Sequence, residues 1–125
     1  IGLVQLEHIG PVIQRHIENG QYFDAALHNI PGLELCTWDS EAEPSYWFYT
    51  VLAERRDELS RRLTEHGIGN SQAHRRNDLH SVFVASRREL PGLDSFYSRM
   101  LHIPCGWWVG DEDREYIVDT IRRGW

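Results

Sequence analysis

The sequence predicts an α+β domain: a small, mostly antiparallel sheet with helices packed on one face. Three observations predict it. Apolar stripes at three- and four-residue steps open and close the chain. Short β-branched and aromatic runs lie between them. These runs and the helices show no βαβ rhythm, and no internal repeat is present. The 125 residues suit a single domain over 1–125, and an apolar fraction of 41 % with five Trp, five Tyr and four Phe supports a packed core.

Taken in order, Leu3, Leu6, Ile9, Ile13 and Ile17 continue from Ile1 as a helical stripe that extends through Phe23 and Leu27. Pro11 either kinks this helix or starts a second one. Asn29-Ile30-Pro31-Gly32 is a turn, and Leu33 to Thr37 reads as a short strand. An acidic loop follows from Trp38 to Pro44. Tyr46 to Leu52 reads as a strand covered on both faces. Glu54 to His66 reads as a helix, with Leu59 and Leu63 on one side and Gly67 as its C′ residue. Asp57/Arg61 and Glu58/Arg62 have the acid-before-base spacing that supports an exposed helix face. Ile68 to Gln72 is a candidate strand, and Ser81 to Ala85 is apolar and β-branched. Leu93, Phe96, Tyr97 and Met100 form a stripe after Pro91-Gly92, and Leu101 to Ile103 is a short strand ended by Pro104. Asp111 to Arg123 closes the chain as a helix, with acids in its first turn, arginines in its last and Gly124 behind it.

A formal charge of −6 argues against a nucleic-acid or anionic-membrane partner. No apolar run approaches the roughly 18 residues of a membrane span. Cys36 and Cys105 match no disulfide framework or metal motif, so they are expected to be reduced, buried thiols of a cytoplasmic protein. All thirteen basic residues are arginine. Without lysine, no residue of this chain can form a Schiff base with an aldehyde cofactor. The chain opens at Ile1 inside an apolar pattern with no N-cap before it, which predicts a piece of a longer protein.

Two segments stand out chemically. His74-Arg75-Arg76-Asn77-Asp78-Leu79-His80 has neither helical nor strand period. It offers guanidinium donors, an amide and two imidazoles in a loop, where such groups meet ligands. It also reads as a solvated loop in which Asp78 pairs with an arginine and Asn77 caps a turn. As metal ligands, His74, Asp78 and His80 fit no zinc spacing. Ile103-Pro104-Cys105-Gly106-Trp107-Trp108 reads as core packing. Adjacent tryptophans on an extended chain point to opposite sides, however, so one must meet solvent, a loop or another chain.

The run Arg55…Leu59…Leu63…His66-Gly67-Ile68, the His74–His80 loop, Leu90-Pro91-Gly92-Leu93-Asp94 and Ile103-Pro104-Cys105-Gly106-Trp107-Trp108, in that order, resembles the C-terminal part of DegT/DnrJ/StrS aminotransferases. Residues 1–28 resemble the helix that connects the family's two domains. The resemblance implies the C-terminal small domain of a fold-type I aminotransferase. Such enzymes use pyridoxal phosphate to move an amino group from glutamate or glutamine to a nucleotide-linked keto-sugar. It also implies a missing large domain that carries the cofactor lysine, a homodimer, and no cofactor held by this chain alone. Leu79-His80 matches the end of the family's Y-P-x-P-L-H run, which makes His80 the leading site residue. Arg75-Arg76-Asn77-Asp78 departs from that run. His74, Arg76, Asn77, Asp78 and His80 are therefore the implied substrate contacts, with no catalytic or metal residue among them. A stand-alone nucleotide-sugar binding or regulatory module is the competing expectation.

Overall fold

A computed structural model describes residues 2–125; Ile1, first of the predicted stripe, lies outside them. Helix α1 (Gly2–Ala26) leads by a turn into strand β1 (Leu33–Leu35). Strand β2 (Tyr49–Ala53) and helix α2 (Arg56–Glu65) follow. After two 3-10 turns come helix α3 (Pro91–Arg99), strand β3 (Met100–Ile103) and helix α4 (Asp111–Arg122). The sheet is antiparallel in the order β1-β2-β3, with Leu35 opposite Val51 and Thr50 opposite His102.

Strand alternation divides the sheet into two faces. Tyr49, Val51, Ala53, Leu101 and Ile103 face a core shared with Phe23 of α1, Leu27 just after it, Leu59 and Leu63 of α2, and Ile117, Val118 and Ile121 of α4. Thr50, Leu52, Met100 and His102 turn to the other face, beside α3. The predicted α+β class and its antiparallel sheet are therefore the observed ones, with three helices against the core face.

Local chemistry explains most boundaries. Gly67 ends α2 with φ 71°, its N–H donating to Thr64 O while Ile68 N–H donates to Leu63 O; this is a Schellman closure. The pairs formed on α2 are Arg55–Glu58 at 3.0 Å and Arg56–Asp57 at 2.8 Å, rather than the four-residue pairs its sequence suggests. Helix α1 runs through Pro11 as one element. The surrounding turns are exposed, so the carbonyl that Pro11 leaves without its amide partner can reach water. The candidate strand Ile68 to Gln72 reduces to one bridge, Ser71 with His102. Ser81 to Ser86 forms a 3-10 turn with its apolar side chains exposed, and among the described residues no strand pairs with it. Among the described residues, no helix is long and apolar enough to cross a membrane.

The stripe on α1 is used in its second half only. Leu3 is 79 % exposed and Leu6 and Ile9 are also exposed, whereas Phe23 is wholly buried. Beside Phe23, Tyr46 takes a left-handed backbone (φ 46°), its ring lies on Gly20, and its hydroxyl donates to Asp24 at 2.6 Å. Tyr49 donates to the same carboxylate at 2.5 Å. Burial, and then Asp24, hold both phenols above the usual tyrosine range. A Cβ on Gly20 would clash with the Tyr46 ring. Glycine to alanine within a helix usually stabilises by about 1 kcal/mol. Here Gly20→Ala is expected to destabilise by about 1–3 kcal/mol, because the ring has to move. Thermal unfolding of the variant checks the sign, and a raised midpoint would contradict the packing.

Candidate functional site

A groove of about 830 Å³ opens on the sheet's outer face, between β2, β3, α3 and the polar loop. All five sequence-predicted residues, His74, Arg76, Asn77, Asp78 and His80, line it. The loop has few backbone bonds of its own, so side chains hold it. Arg76 donates through Nε and Nη2 to the two carboxylate oxygens of Asp78, at 2.9 and 2.7 Å, and through Nη1 to Asp94 at the start of α3. Its side chain is only 11 % exposed. The guanidinium is raised above its ordinary pKa, first by Asp78 and then by Asp94, and Asp78 is lowered in return chiefly by Arg76. Arg76 thus fastens the loop to α3, and its fork is already occupied by carboxylates. Asp78 thus pairs with an arginine, Arg76, as the solvated-loop reading expects.

Asn77 opens a 3-10 turn, Asn77–Leu79, whose carbonyls receive other donors: His80 N–H meets Asn77 O at 3.1 Å, and Arg87 reaches Asp78 O at 3.0 Å. The side chains of Asn77, His74 and His80 are exposed along the groove. His74 lies among aromatic rings, with its centroid 6.0 Å from Trp47 and 5.6 Å from Phe48.

The sheet contributes residues that the loop's sequence could not announce. Thr50 and His102, paired across β2 and β3, form the groove's polar floor, with Thr50 Oγ1 3.0 Å from His102 Nδ1. Burial, and secondarily His74, hold His102 below the ordinary imidazole range. Phe48, Leu93, Phe96 and Tyr97 supply apolar walls. The sequence signal for His102 is alternation: it stands between Leu101 and Ile103, which both face the core.

The second unusual segment divides. Ile103, Cys105 and Gly106 are buried as packing predicts, but Trp107 and Trp108 are 58 and 60 % exposed, so neither tryptophan joins the core. Trp108 lies against Gly106 and meets His16 edge-on at 6.0 Å. Both cysteines are free thiols. Burial, with some help from Asp24, pushes Cys105 up to about 12, and burial raises half-buried Cys36 too.

By architecture this is a small α+β domain with a long entry helix and a groove outside its sheet. The chain belongs to the DegT/DnrJ/EryC1/StrS aminotransferase family, whose sequence profile matches residues 1–122. The sugar aminotransferase CalS13 from Micromonospora echinospora is 41 % identical over the whole chain, with a TM-score of 0.97 across 34 % of its own length. AtS13 from Actinomadura melliaura is 42 % identical, with a TM-score of 0.96 over the whole chain and 34 % of its own. A dTDP-4-dehydro-2,3,6-trideoxy-D-glucose 4-aminotransferase from Saccharopolyspora spinosa is 27 % identical over 98 % of this chain and 32 % of its own. The chain therefore spans about a third of the length of these relatives.

Proposed function

We propose that these residues form the C-terminal small domain of a longer pyridoxal-phosphate-dependent aminotransferase, and that their groove shapes the sugar side of its pocket. The observation that carries the reading is one groove lined by all six polar residues of the loop, in a chain 41 % identical to a sugar aminotransferase. The substrate class is a nucleotide-linked keto-sugar, and glutamate or glutamine is the amino donor. A dTDP-linked 4-keto-sugar, the substrate in one relative's name, is the first to test.

Pyridoxal phosphate, when bound, supplies the electron sink for amino transfer. The residues present here do not fit its covalent attachment, since none is lysine. That anchor belongs to a large domain outside this chain. The roles of these residues are then to bind, orient and enclose the sugar. Arg76, Asp78 and Asp94 hold the loop's shape, while His80, His74 and Asn77 present exposed polar groups to the ligand. The bare apolar half of α1 and the exposed Trp107 and Trp108 support a partner over these surfaces: the large domain joined through residues 1–28, and a second copy in a homodimer.

The test uses the full-length protein. His80→Ala is expected to lower kcat/KM for the sugar about tenfold or more, while cofactor uptake followed by absorbance stays as in the wild type. Unchanged sugar kinetics, or an equal loss of cofactor, would remove His80 from the sugar site.

A further inference from the structure

We propose that the groove's floor is a hydroxyl-binding subsite centred on Nε2 of His102, which takes a ring hydroxyl of the sugar; this rests on the nucleotide-sugar reading of the groove. His102 is 6 % exposed and lines the groove. One ring nitrogen is satisfied, by Thr50 Oγ1 at 3.0 Å. The other, Nε2, is buried with no hydrogen-bond partner among the described residues. Buried polar atoms almost always have one, because leaving them unmet costs their hydration. An unmet atom at the bottom of a cavity marks where a ligand atom belongs.

The chemistry of that atom follows from the two tautomers. If Thr50 donates to Nδ1, then Nε2 carries the proton and needs an acceptor. If Nδ1 donates to Thr50, then Nε2 needs a donor. A hydroxyl serves either case. A phosphate or carboxylate oxygen serves only the first, and an ammonium only the second. The environment also favours an uncharged partner, since burial, and secondarily His74, lower the imidazole's affinity for a second proton.

The surroundings suit a sugar ring. Phe48 lies 4.2 Å from His102, centroid to centroid, and Phe96 and Tyr97 also line the groove. Such rings pack against the C–H face of a pyranose while its hydroxyl edge meets the imidazole. Phe48 precedes β2 and packs its ring on His102, so entry of the hydroxyl requires that ring to turn aside.

Binding to the cofactor-loaded full-length enzyme, without amino donor, tests this with two probes: dTDP-4-dehydro-6-deoxy-D-glucose, hydroxylated at ring positions 2 and 3, and dTDP-4-dehydro-2,3,6-trideoxy-D-glucose, which lacks both hydroxyls. The wild type is expected to prefer the hydroxylated sugar about tenfold. His102→Phe should bind both sugars alike, His102→Gln should recover part of the preference, and dTDP alone should bind all three proteins equally. If His102→Phe does not fold, Thr50→Val leaves the imidazole but removes what orients it, and should lose part of the preference. A His102→Phe enzyme that keeps the preference means that only solvent meets Nε2, and overturns the subsite. Equal loss of dTDP binding assigns His102 to the fold and overturns it too. A wild type that binds both sugars equally well overturns the subsite alone, whereas one that binds neither overturns the nucleotide-sugar reading and the subsite with it.

Discussion

Phe23→Ala is expected to destabilise the chain by about 3–5 kcal/mol. Phe23 has no exposed surface and its ring sits 5.3 Å from that of Tyr49, centroid to centroid. It is where α1 enters the core shared by the sheet, α2 and α4. Truncation removes the transfer free energy of a phenyl group and leaves a cavity. The Tyr49 ring cannot swing in to fill it, since its hydroxyl is held by Asp24 at 2.5 Å. Leu3→Ala is the matched control, on the same helix and the same apolar stripe. Leu3 is exposed, so its loss should change the unfolding free energy of the chain by no more than about 0.5 kcal/mol. Urea unfolding followed by tryptophan fluorescence reads both variants. Similar costs for the two would mean that α1 is not anchored through Phe23.

Asn19→Asp should cost about 3 kcal/mol near neutral pH, although it changes the side chain's volume hardly at all. Asn19 is completely buried in α1. Its amide donates to Gly106 O at 3.0 Å and Val109 O at 3.2 Å, tying the helix to the segment that carries Trp107 and Trp108. Arg114 of α4 reaches its carbonyl oxygen at 3.4 Å. A carboxylate there would face two carbonyl oxygens with no donor to offer them, and Arg114 compensates on one side only. The charged form is disfavoured, so the folded-state pKa of the introduced carboxyl would rise above the ordinary carboxylate value. A raised carboxyl makes the folded state bind more protons than the unfolded one. The penalty should therefore shrink as pH falls through the raised value toward the ordinary one, roughly pH 4. Unfolding free energies at neutral and mildly acidic pH check this. A penalty that does not change with pH would show that the cost is steric and not electrostatic.

Much of the fold is legible because its signals are local. The end of α2 follows from Gly67, and the ends of α4 from acids before arginines and Gly124 behind them. The polar loop declared itself by lacking any period, and all five of its named residues reach one groove. The site's floor was not legible in the same way. Thr50 and His102 are 52 residues apart, and only the register of β2 against β3 sets them side by side. A lone histidine between two apolar residues has no local mark of function. Arg76 shows the complementary case: its guanidinium donates to Asp78 beside it and to Asp94 on α3, a tie between elements that its charge alone does not announce.

By itself, the sequence determined where the four α-helices lie to within a few residues, that the sheet is small and mostly antiparallel, and that no lysine is present to hold an aldehyde cofactor covalently. These follow from backbone sterics, capping and side-chain chemistry, which act within a few residues. The tertiary structure decided which half of the α1 stripe is buried, that Ser81 to Ala85 finds no strand partner, that both tryptophans stay outside the core, and that a histidine of β3 lies under the loop. Each of these depends on what a distant segment places alongside. Periodicity states which side of an element is apolar, but burial and hydrogen-bond satisfaction belong to pairs of elements, and those exist only once the chain has folded.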